Sequence, residues 1–412
     1  MSRPALPSGP FLVVGLARSG VGALEALRAR GLEAIGVDRE RVDVPGAHTG
    51  EGLELLDGAA TVVKSPGVPQ EAPVIGEARR RGLTVMGELE LAWRLLPNEF
   101  VAVTGTNGKT TTVALLGAIF GGRAVVAGNV GTALSSLDVP PDTLVIAETS
   151  SFQLEDTLAF APETAALINL GSDHLDRHGT LAAYREAKLQ AFARQTPEQT
   201  AIFPDGLSVP GAARKVRFGG AETADLRLRE DALWWRGERM IGLSEIRLRG
   251  PHNVQNAMVA AAVALTRGVD PAPGLATFAG VPHRLEEVAT RDGVLYVNDS
   301  KATNVESTLV ALRAFPSGVH LILGGRGKGQ DFAALRSAVA ACRSVHLIGE
   351  DAERIGAALG VDDVDGDLER AVAHAAALAR SGDVVLLSPA CASYDQYPDF
   401  EARGEHFRRI AG

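Results

Sequence analysis

The sequence predicts an α/β protein of three domains, and three observations carry that prediction. Its 412 residues, at roughly 150 per domain, call for two to four domains. Short apolar runs alternate with helical patterns in three successive stretches, the signature of strands joined by crossover helices. A glycine-rich loop, TGTNGKTTT, stands between a strand and a helix at the head of the second stretch. The domain limits so read are 1–90, 91–280 and 281–412.

In the first stretch, FLVVG is a buried strand and VGALEALRARG a helix closed by glycine. LEAIGVD and AATVVKSPG are further strands, VIGEARRRG a second helix, and GELELAWRLLP closes the unit at Pro97. The second stretch opens on FVAVTGTNGKTTTVALLGAIF and continues with the strands RAVVAGN, TLVIAE and AALINL. SFQLEDTLAF and LAAYREAKLQAFARQ read as its helices. From Ala201 to Gly250 the pattern becomes AIFPDG, KVRFGG, LRLRED, LWWRGERM and IRLRG, expected to be short antiparallel strands. HNVQNAMVAAAVALTRG returns to helix. In the third stretch LYVND, HLILGG, SVHLIG and DVVLLSP are strands, with NVESTLVALRAF and LERAVAHAAALARSG as helices between them. The outer domains are therefore Rossmann-like, and the central one resembles a P-loop ATPase with a small antiparallel region.

Composition narrows the function. Apolar residues make up 46% and charged residues 22%, which is ordinary for a globular protein. A net charge of −9 argues against a general nucleic-acid binder. Two cysteines make no disulfide framework and suit a reducing compartment. The apolar run Phe11–Leu16 is too short for a signal peptide core, and nothing approaches the ~18 residues of a membrane span. A cytoplasmic protein without nucleic-acid or membrane partners is expected. Only six of the 41 basic residues are lysines: Lys64, Lys109, Lys188, Lys215, Lys301 and Lys328. A lysine retained against such a bias is a place to look for chemistry that arginine cannot perform.

The phosphate loop is the strongest motif. Its backbone N–H groups and the helix N-terminus favour an anion, Lys109 would meet the β- and γ-phosphates, and Thr110 would ligate Mg²⁺. The strict P-loop pattern fails, because Val103 stands where its first glycine belongs. Glu148 ends the strand TLVIAE, where a carboxylate can share that Mg²⁺. Asp173, His174, Asp176 and His178 follow another strand and read either as loop caps or as ligands. Lys188, taken alone, reads as a solvated helix face.

TGTNGKTT, the strand end at Glu148, SDHLDRHG and AKLQAF together resemble the Mur ligases and their folylpolyglutamate synthetase relatives, three-domain ATP-dependent amide ligases. HNVQNAMVA and VPHRLE extend the resemblance along the chain. NDSKATN, GGRGKGQDF and LLSPACASYDQYPDFEARGEHF resemble the D-glutamate-adding branch of that family. The resemblance implies that a carboxylate of UDP-N-acetylmuramoyl-L-alanine is phosphorylated by ATP and then attacked by the amine of D-glutamate, a step of peptidoglycan precursor synthesis.

It also implies a set of roles. ATP falls to Gly105, Thr106, Asn107, Gly108, Lys109, Thr110, Thr111, Asn253, Asn256, Arg284 and Asp299. Two Mg²⁺ sites draw on Thr110, Glu148, His174 and Lys188, the last as a carbamate formed with CO₂. Lys109, His174, Lys188 and Lys301 are the implied catalytic residues. The first domain would bind the UDP substrate through Arg18, Ser19, Arg39 and Gly67, with Asn129 near the sugar-peptide portion. Here the chain departs from the family, reading Asp38-Arg39-Glu40 where Ser or Thr then Arg often follows the aspartate. D-Glutamate would be held by Thr303, Lys328, Ser393, Tyr394 and Phe400. Lys64 reads as solvated, and Cys391 as a buried strand-end thiol. A monomer is expected.

Three other readings compete. Gly15-x-Ala17-x-x-Gly20 followed by Asp38 imitates a dinucleotide fingerprint and would suit a nicotinamide dehydrogenase. A non-catalytic nucleotide-binding protein could share the fold. A sister ligase could add another amino acid, such as L-alanine or a diamino acid.

Overall fold

The computed structural model describes residues 3–412 except 130, 172, 249, 316, 328 and 363. It divides into two compact units, Met1–Phe278 and Ala279–Gly412.

The first unit holds two sheets. One is fully parallel, ordered Ala47–Thr49, Ala34–Asp38, Phe11–Val14, Thr61–Lys64, Thr84–Gly87. Leu12, Val13 and Val62 are buried at its centre, with the helices Arg18–Arg28 and Pro73–Arg80 packed against it. Both faces of a parallel sheet need cover, which explains the continuous apolar runs of its strands. The other sheet has nine strands, with Phe100–Thr104 between Thr164–Leu167 and Leu144–Glu148. The helices Lys109–Phe120 and Pro251–Thr266 cover one face through Leu115, Leu116 and the run Ala260–Ala264.

Three expectations change here. The region 201–250 is only partly antiparallel. Thr200–Pro204 pairs parallel with both Thr164–Leu167 and Arg214–Gly219, and Arg214–Gly219 pairs parallel with Leu226–Arg229. Antiparallel pairing is confined to Leu226–Arg229, Ala232–Trp235 and Glu238–Gly242. Local alternation of apolar residues marks a strand but not the direction of its neighbour, which the connection decides. The described residues of IRLRG form no strand, and SFQLEDTLAF yields a single helical turn, Ser151–Leu154, opened by a capping box of Ser150 and Gln153.

The second unit is built on a six-stranded sheet ordered Glu286–Arg291, Val294–Asn298, Val384–Leu387, Val319–Gly324, Ser344–Ile348, Val364–Gly366. The first pair is antiparallel and the rest are parallel. Glu286–Arg291 and Val364–Gly366 were not anticipated; both are edge strands with little apolar content. Among the described residues, no helix is long and apolar enough to cross a membrane.

Candidate active site

The centre of the site lies where the strand Phe100–Thr104 ends and the helix Lys109–Phe120 begins. Gly108 caps that helix in the left-handed region, φ 86°, a conformation that glycine adopts without steric cost. A Cβ there would stand 2.1 Å from Oδ1 of Asn256, so the loop and the helix Pro251–Thr266 meet backbone against side chain. Asn256 is buried, and its amide donates to Oδ1 of Asn253 at 3.0 Å. The two asparagines therefore sit as a pair against the phosphate loop.

Residues after the strand Thr164–Leu167 hold the loop from the other side. Asn169 accepts from the Asn107 N–H through Oδ1 at 3.0 Å, and its carbonyl accepts from the Thr106 N–H at 3.2 Å. Thr106 Oγ1 takes the Gly171 N–H at 2.8 Å and the Tyr184 hydroxyl at 3.0 Å. Asn169 and Tyr184 were not named from the sequence. Asn169 could have been, since it lies just past the carboxyl end of a strand, where ligands of open α/β sheets gather.

Lys109 donates to the carbonyls of Gly105 at 2.8 Å and Thr106 at 3.0 Å. Lys188 also donates to Gly105 O at 2.8 Å and lies 4.7 Å from the Tyr184 ring. Far from a solvated face, Lys188 is 2% exposed. Burial, reinforced by the positive charge of Lys109, pushes its amine down to about 7. It is thus poised between ammonium and free amine at neutral pH.

Glu148 is buried at the end of its strand. Its Oε1 accepts from the Asn129 amide at 3.0 Å, while Oε2 is buried without a hydrogen-bond partner. An orphaned buried carboxylate oxygen is costly unless a cation or water meets it. Asn129, expected near a substrate, is brought onto Glu148, and its carbonyl accepts from Arg18 at 3.0 Å. His174 has φ 50°, is half-exposed, and faces Asp173 at 3.3 Å and the Phe152 ring at 4.8 Å. His178 turns away to Ser151 Oγ at 3.0 Å, and burial lowers its pKa.

In the parallel five-stranded sheet, a cleft of about 210 Å³ is lined by Gly15, Asp38, Arg39, Glu51, Gly67 and Val68. Arg39 and Gly67 both line it, and Arg39 pairs with Glu51 at 3.1 Å. Asp38 spends its carboxylate on the backbone N–H groups of Leu16 at 2.6 Å and Glu40 at 3.0 Å. That occupation weakens the dinucleotide reading, which requires this carboxylate for a ribose. Ser19 lies in the first turn of the helix Arg18–Arg28.

Lys64 corrects the expectation of a solvated side chain. It is 0% exposed and pairs with Asp156 Oδ2 at 2.7 Å, joining the five-stranded sheet to the nine-stranded body. The reason is tertiary: Asp156 lies 92 residues away in the chain and also accepts from Gln70 at 2.9 Å.

In the second unit, Asp299 is buried at the end of Val294–Asn298. It accepts from Ser388 Oγ at 2.8 Å and the Leu285 N–H at 3.2 Å. Burial pushes its carboxyl up to about 7, against the pull of those donors and of Arg284. Lys301 lies 5.7 Å from the Phe400 ring, and the Thr303 N–H bonds to the Lys301 carbonyl. Ser300 Oγ donates to the Phe400 carbonyl at 2.8 Å and takes Arg403 Nε at 3.0 Å. Arg403 is buried, and its guanidinium ties Ser300 O at 2.9 Å to Cys391 O at 3.0 Å, bracing the turn that carries Asp299 and Lys301. Ser393 is buried, and Tyr394 is exposed. Lys328, expected to hold D-glutamate, lies outside the described residues.

Comparison with known proteins accords with this layout. Residues 103–264 match the family described as Mur ligase middle domain, and residues 283–391 that described as Mur ligase, glutamate ligase domain. The chain is 42% identical to the UDP-N-acetylmuramoylalanine–D-glutamate ligase of Anaeromyxobacter dehalogenans, over 100% of this chain and 99% of the relative. It is 43% identical to the protein of the same name from Myxococcus xanthus, over 98% of each. The relative of that name from Bacillus subtilis is 36% identical over 96% of each. Among solved structures, the fold is similar to UDP-N-acetylmuramate–alanine ligase MurC of Thermotoga maritima, with TM-score 0.59 and 18% identity over 98% of this chain and 99% of that one. It is also similar to MurF ligase of Thermotoga maritima in complex with ADP, with TM-score 0.56 and 18% identity over 98% and 94%.

Proposed function

The chain belongs to the Mur ligase family, and from that premise we propose that it joins D-glutamate to UDP-N-acetylmuramoyl-L-alanine, consuming ATP and releasing ADP and phosphate. The observation that carries this reading is full-length identity of 42% and 43% to relatives that bear the name of that activity. The phosphate loop, the paired lysines and the buried carboxylate of Glu148 are the chemistry it needs.

A carboxylate is a poor electrophile. The substrate carboxylate attacks the γ-phosphorus of ATP, the bond to the β-phosphate oxygen breaks, and an acyl phosphate forms. The free amine of D-glutamate then attacks the acyl carbon, phosphate leaves, and the amine sheds a proton. Both steps gather negative charge, so catalysis is mainly positioning and neutralisation. Lys109 and the N–H groups of the loop would hold the phosphates, with Asn253 and Asn256 beside them and Arg284 and Asp299 on phosphates and ribose. Mg²⁺, when bound, supplies charge neutralisation at the phosphate oxygens. The unpartnered Oε2 of Glu148 fits such a cation, which Thr110 would share, and His174 and the modified Lys188 would serve a second one.

Lys188 would serve as a carbamate, since a cation cannot ligate a cation. An amine with pKa about 7 supports that role, because a free amine is what CO₂ attacks. Lys301 would face the acyl phosphate. Thr303, Lys328, Ser393, Tyr394 and Phe400 would receive D-glutamate. The five-stranded sheet is assigned to the UDP moiety through Arg18, Ser19, Arg39 and Gly67, making three functional domains. The enzyme is proposed to act as a cytoplasmic monomer, and its two free thiols suit a reducing compartment.

The test is ATP-dependent phosphate release with UDP-N-acetylmuramoyl-L-alanine and a panel of amino acids. D-Glutamate alone should support turnover. Turnover with meso-diaminopimelate but not D-glutamate would move the chain to another branch.

A further inference from the structure

The geometry points to a further metal site, separate from the proposed Mg²⁺ sites and in the unit Ala279–Gly412: we propose that His346, Asp365 and His374 bind one divalent ion of the zinc class. Their ligand atoms all lie within 4.8 Å of one another. His346 Nδ1 stands 3.0 Å from Asp365 Oδ2, and His374 Nδ1 contacts Asp365 Oδ1. Ligands on a tetrahedral Zn²⁺ with bonds of about 2.0–2.1 Å are roughly 3.3 Å apart, so the first pair stands close to that spacing. Two imidazoles and one carboxylate are a borderline donor set, suited to zinc rather than to Mg²⁺ or Ca²⁺.

Three features of the fold support the site. His346 lies on the strand Ser344–Ile348 and Asp365 on the neighbouring edge strand Val364–Gly366, and both side chains are buried. The register between these strands shifts: Leu347 opposes Val364 while Ile348 opposes Gly366, leaving Asp365 as the extra residue of a bulge. Bulges re-aim side chains in this way. His374, on the helix Leu368–Leu378, is 64% exposed and is the movable ligand at the solvent side, where a water can complete the tetrahedron.

The second, independent observation lies behind the ligands. The other nitrogen of His346, Nε2, is held by Ser344 Oγ at 2.8 Å. Ser344 Oγ meets His320 Nδ1 at 2.7 Å, and His320 Nε2 reaches Asp383 at 3.4 Å. Asp383 is itself paired with Arg343 at 2.9 Å. This chain fixes the ring plane of His346 and keeps Nδ1 facing Asp365, the outer-shell arrangement that orients metal-bound histidines. None of these residues belongs to the proposed ATP or D-glutamate site. A bound ion would clamp the short edge strand to the helix that follows it.

The experiment uses the full chain, stripped with chelator, loaded with Zn²⁺, dialysed and assayed for metal by mass spectrometry, with Co²⁺ absorption as a geometric readout. One equivalent should remain on the wild type and on Glu148→Gln, which isolates this site from the catalytic cation. His374→Ala should lose that equivalent and its tetrahedral Co²⁺ bands while keeping ligase activity; its exposed position makes misfolding no obstacle. Ser344→Ala should weaken Zn²⁺ binding roughly tenfold. No retained metal on the wild type, or equal retention by His374→Ala, would overturn the proposal and leave a hydrogen-bonded His-Asp-His cluster.

Discussion

Lys109 and Lys188 share one acceptor: both donate to the carbonyl oxygen of Gly105 at 2.8 Å. Two cationic side chains on one carbonyl, with Lys188 buried, is an arrangement that folding alone disfavours, since burial penalises the Lys188 charge and the charge of Lys109 repels it. It is relieved if Lys188 gives up its proton, and the amine is held near 7 for that reason.

Replacing Lys188 therefore separates stability from activity. The folded-state pKa lies below the usual lysine value of 10.5, so the unfolded chain binds more protons between about 7 and 10.5. The penalty is complete below pH 7 and disappears as pH rises toward 10.5. In bicarbonate-free buffer, Lys188→Met should raise Tm at pH 7, with the gain shrinking by pH 10. Ligase activity should be lost. Lys188→Ala should be partly rescued by a short carboxylic acid. Full activity of either variant without rescue would remove the carbamate from the mechanism.

Glu148→Gln keeps an oxygen for the Asn129 amide but removes the charge beside the unpartnered position. We expect turnover to fall on the order of 10²-fold, with a raised Mg²⁺ requirement and Tm close to wild type. A Mg²⁺ titration of phosphate release reads this directly. An unchanged Mg²⁺ dependence would exclude Glu148 as a metal holder.

Asp299 has the opposite sign. Its carboxyl is pushed up to about 7, so the folded state binds more protons between about 3.8 and 7. Its contribution is fully favourable below 3.8 and is lost as pH rises through 7. Asp299→Asn should therefore gain stability relative to wild type at pH 8, by on the order of a few kcal/mol, and gain little at pH 4. The same variant should raise KM for ATP. Denaturant melts at the two pH values check the sign.

Lys64 and Asp156 form a buried pair, and removing one partner leaves an uncompensated charge. Asp156→Ala should cost about 3–5 kcal/mol, while Lys64→Met with Asp156→Leu should recover most of that. Urea melts of Lys64→Met, Asp156→Leu and the double variant close a cycle that measures the coupling, and additive single effects would show the pair to be energetically idle.

Gly108→Ala tests the loop against its neighbour. The alanine would meet Asn256 Oδ1 at 2.1 Å in a left-handed conformation. ATP affinity should drop sharply, and Gly108→Ala with Asn256→Ala should restore only part of it, because the backbone conformation still penalises a Cβ.

The sequence alone determined the alternation of strands and helices, the phosphate loop, and the strand-end residues Glu148 and Asp299. These are legible because periodicity, glycine and strand termini are local signals, and the residues that act locally are written next to one another. Pairing direction beyond Ala201, the bulge that exposes Asp365 to two histidines, and the burial of Lys64 and Lys188 were decided only by the tertiary structure. Each depends on a partner many positions away: Asp156 for Lys64, 92 residues along, and Gly105 for Lys188, 83 residues back. A lysine's letter is the same in water as in a core. What separates the two is the loss of solvent and the charge brought near it, and both arise when distant segments close around the side chain.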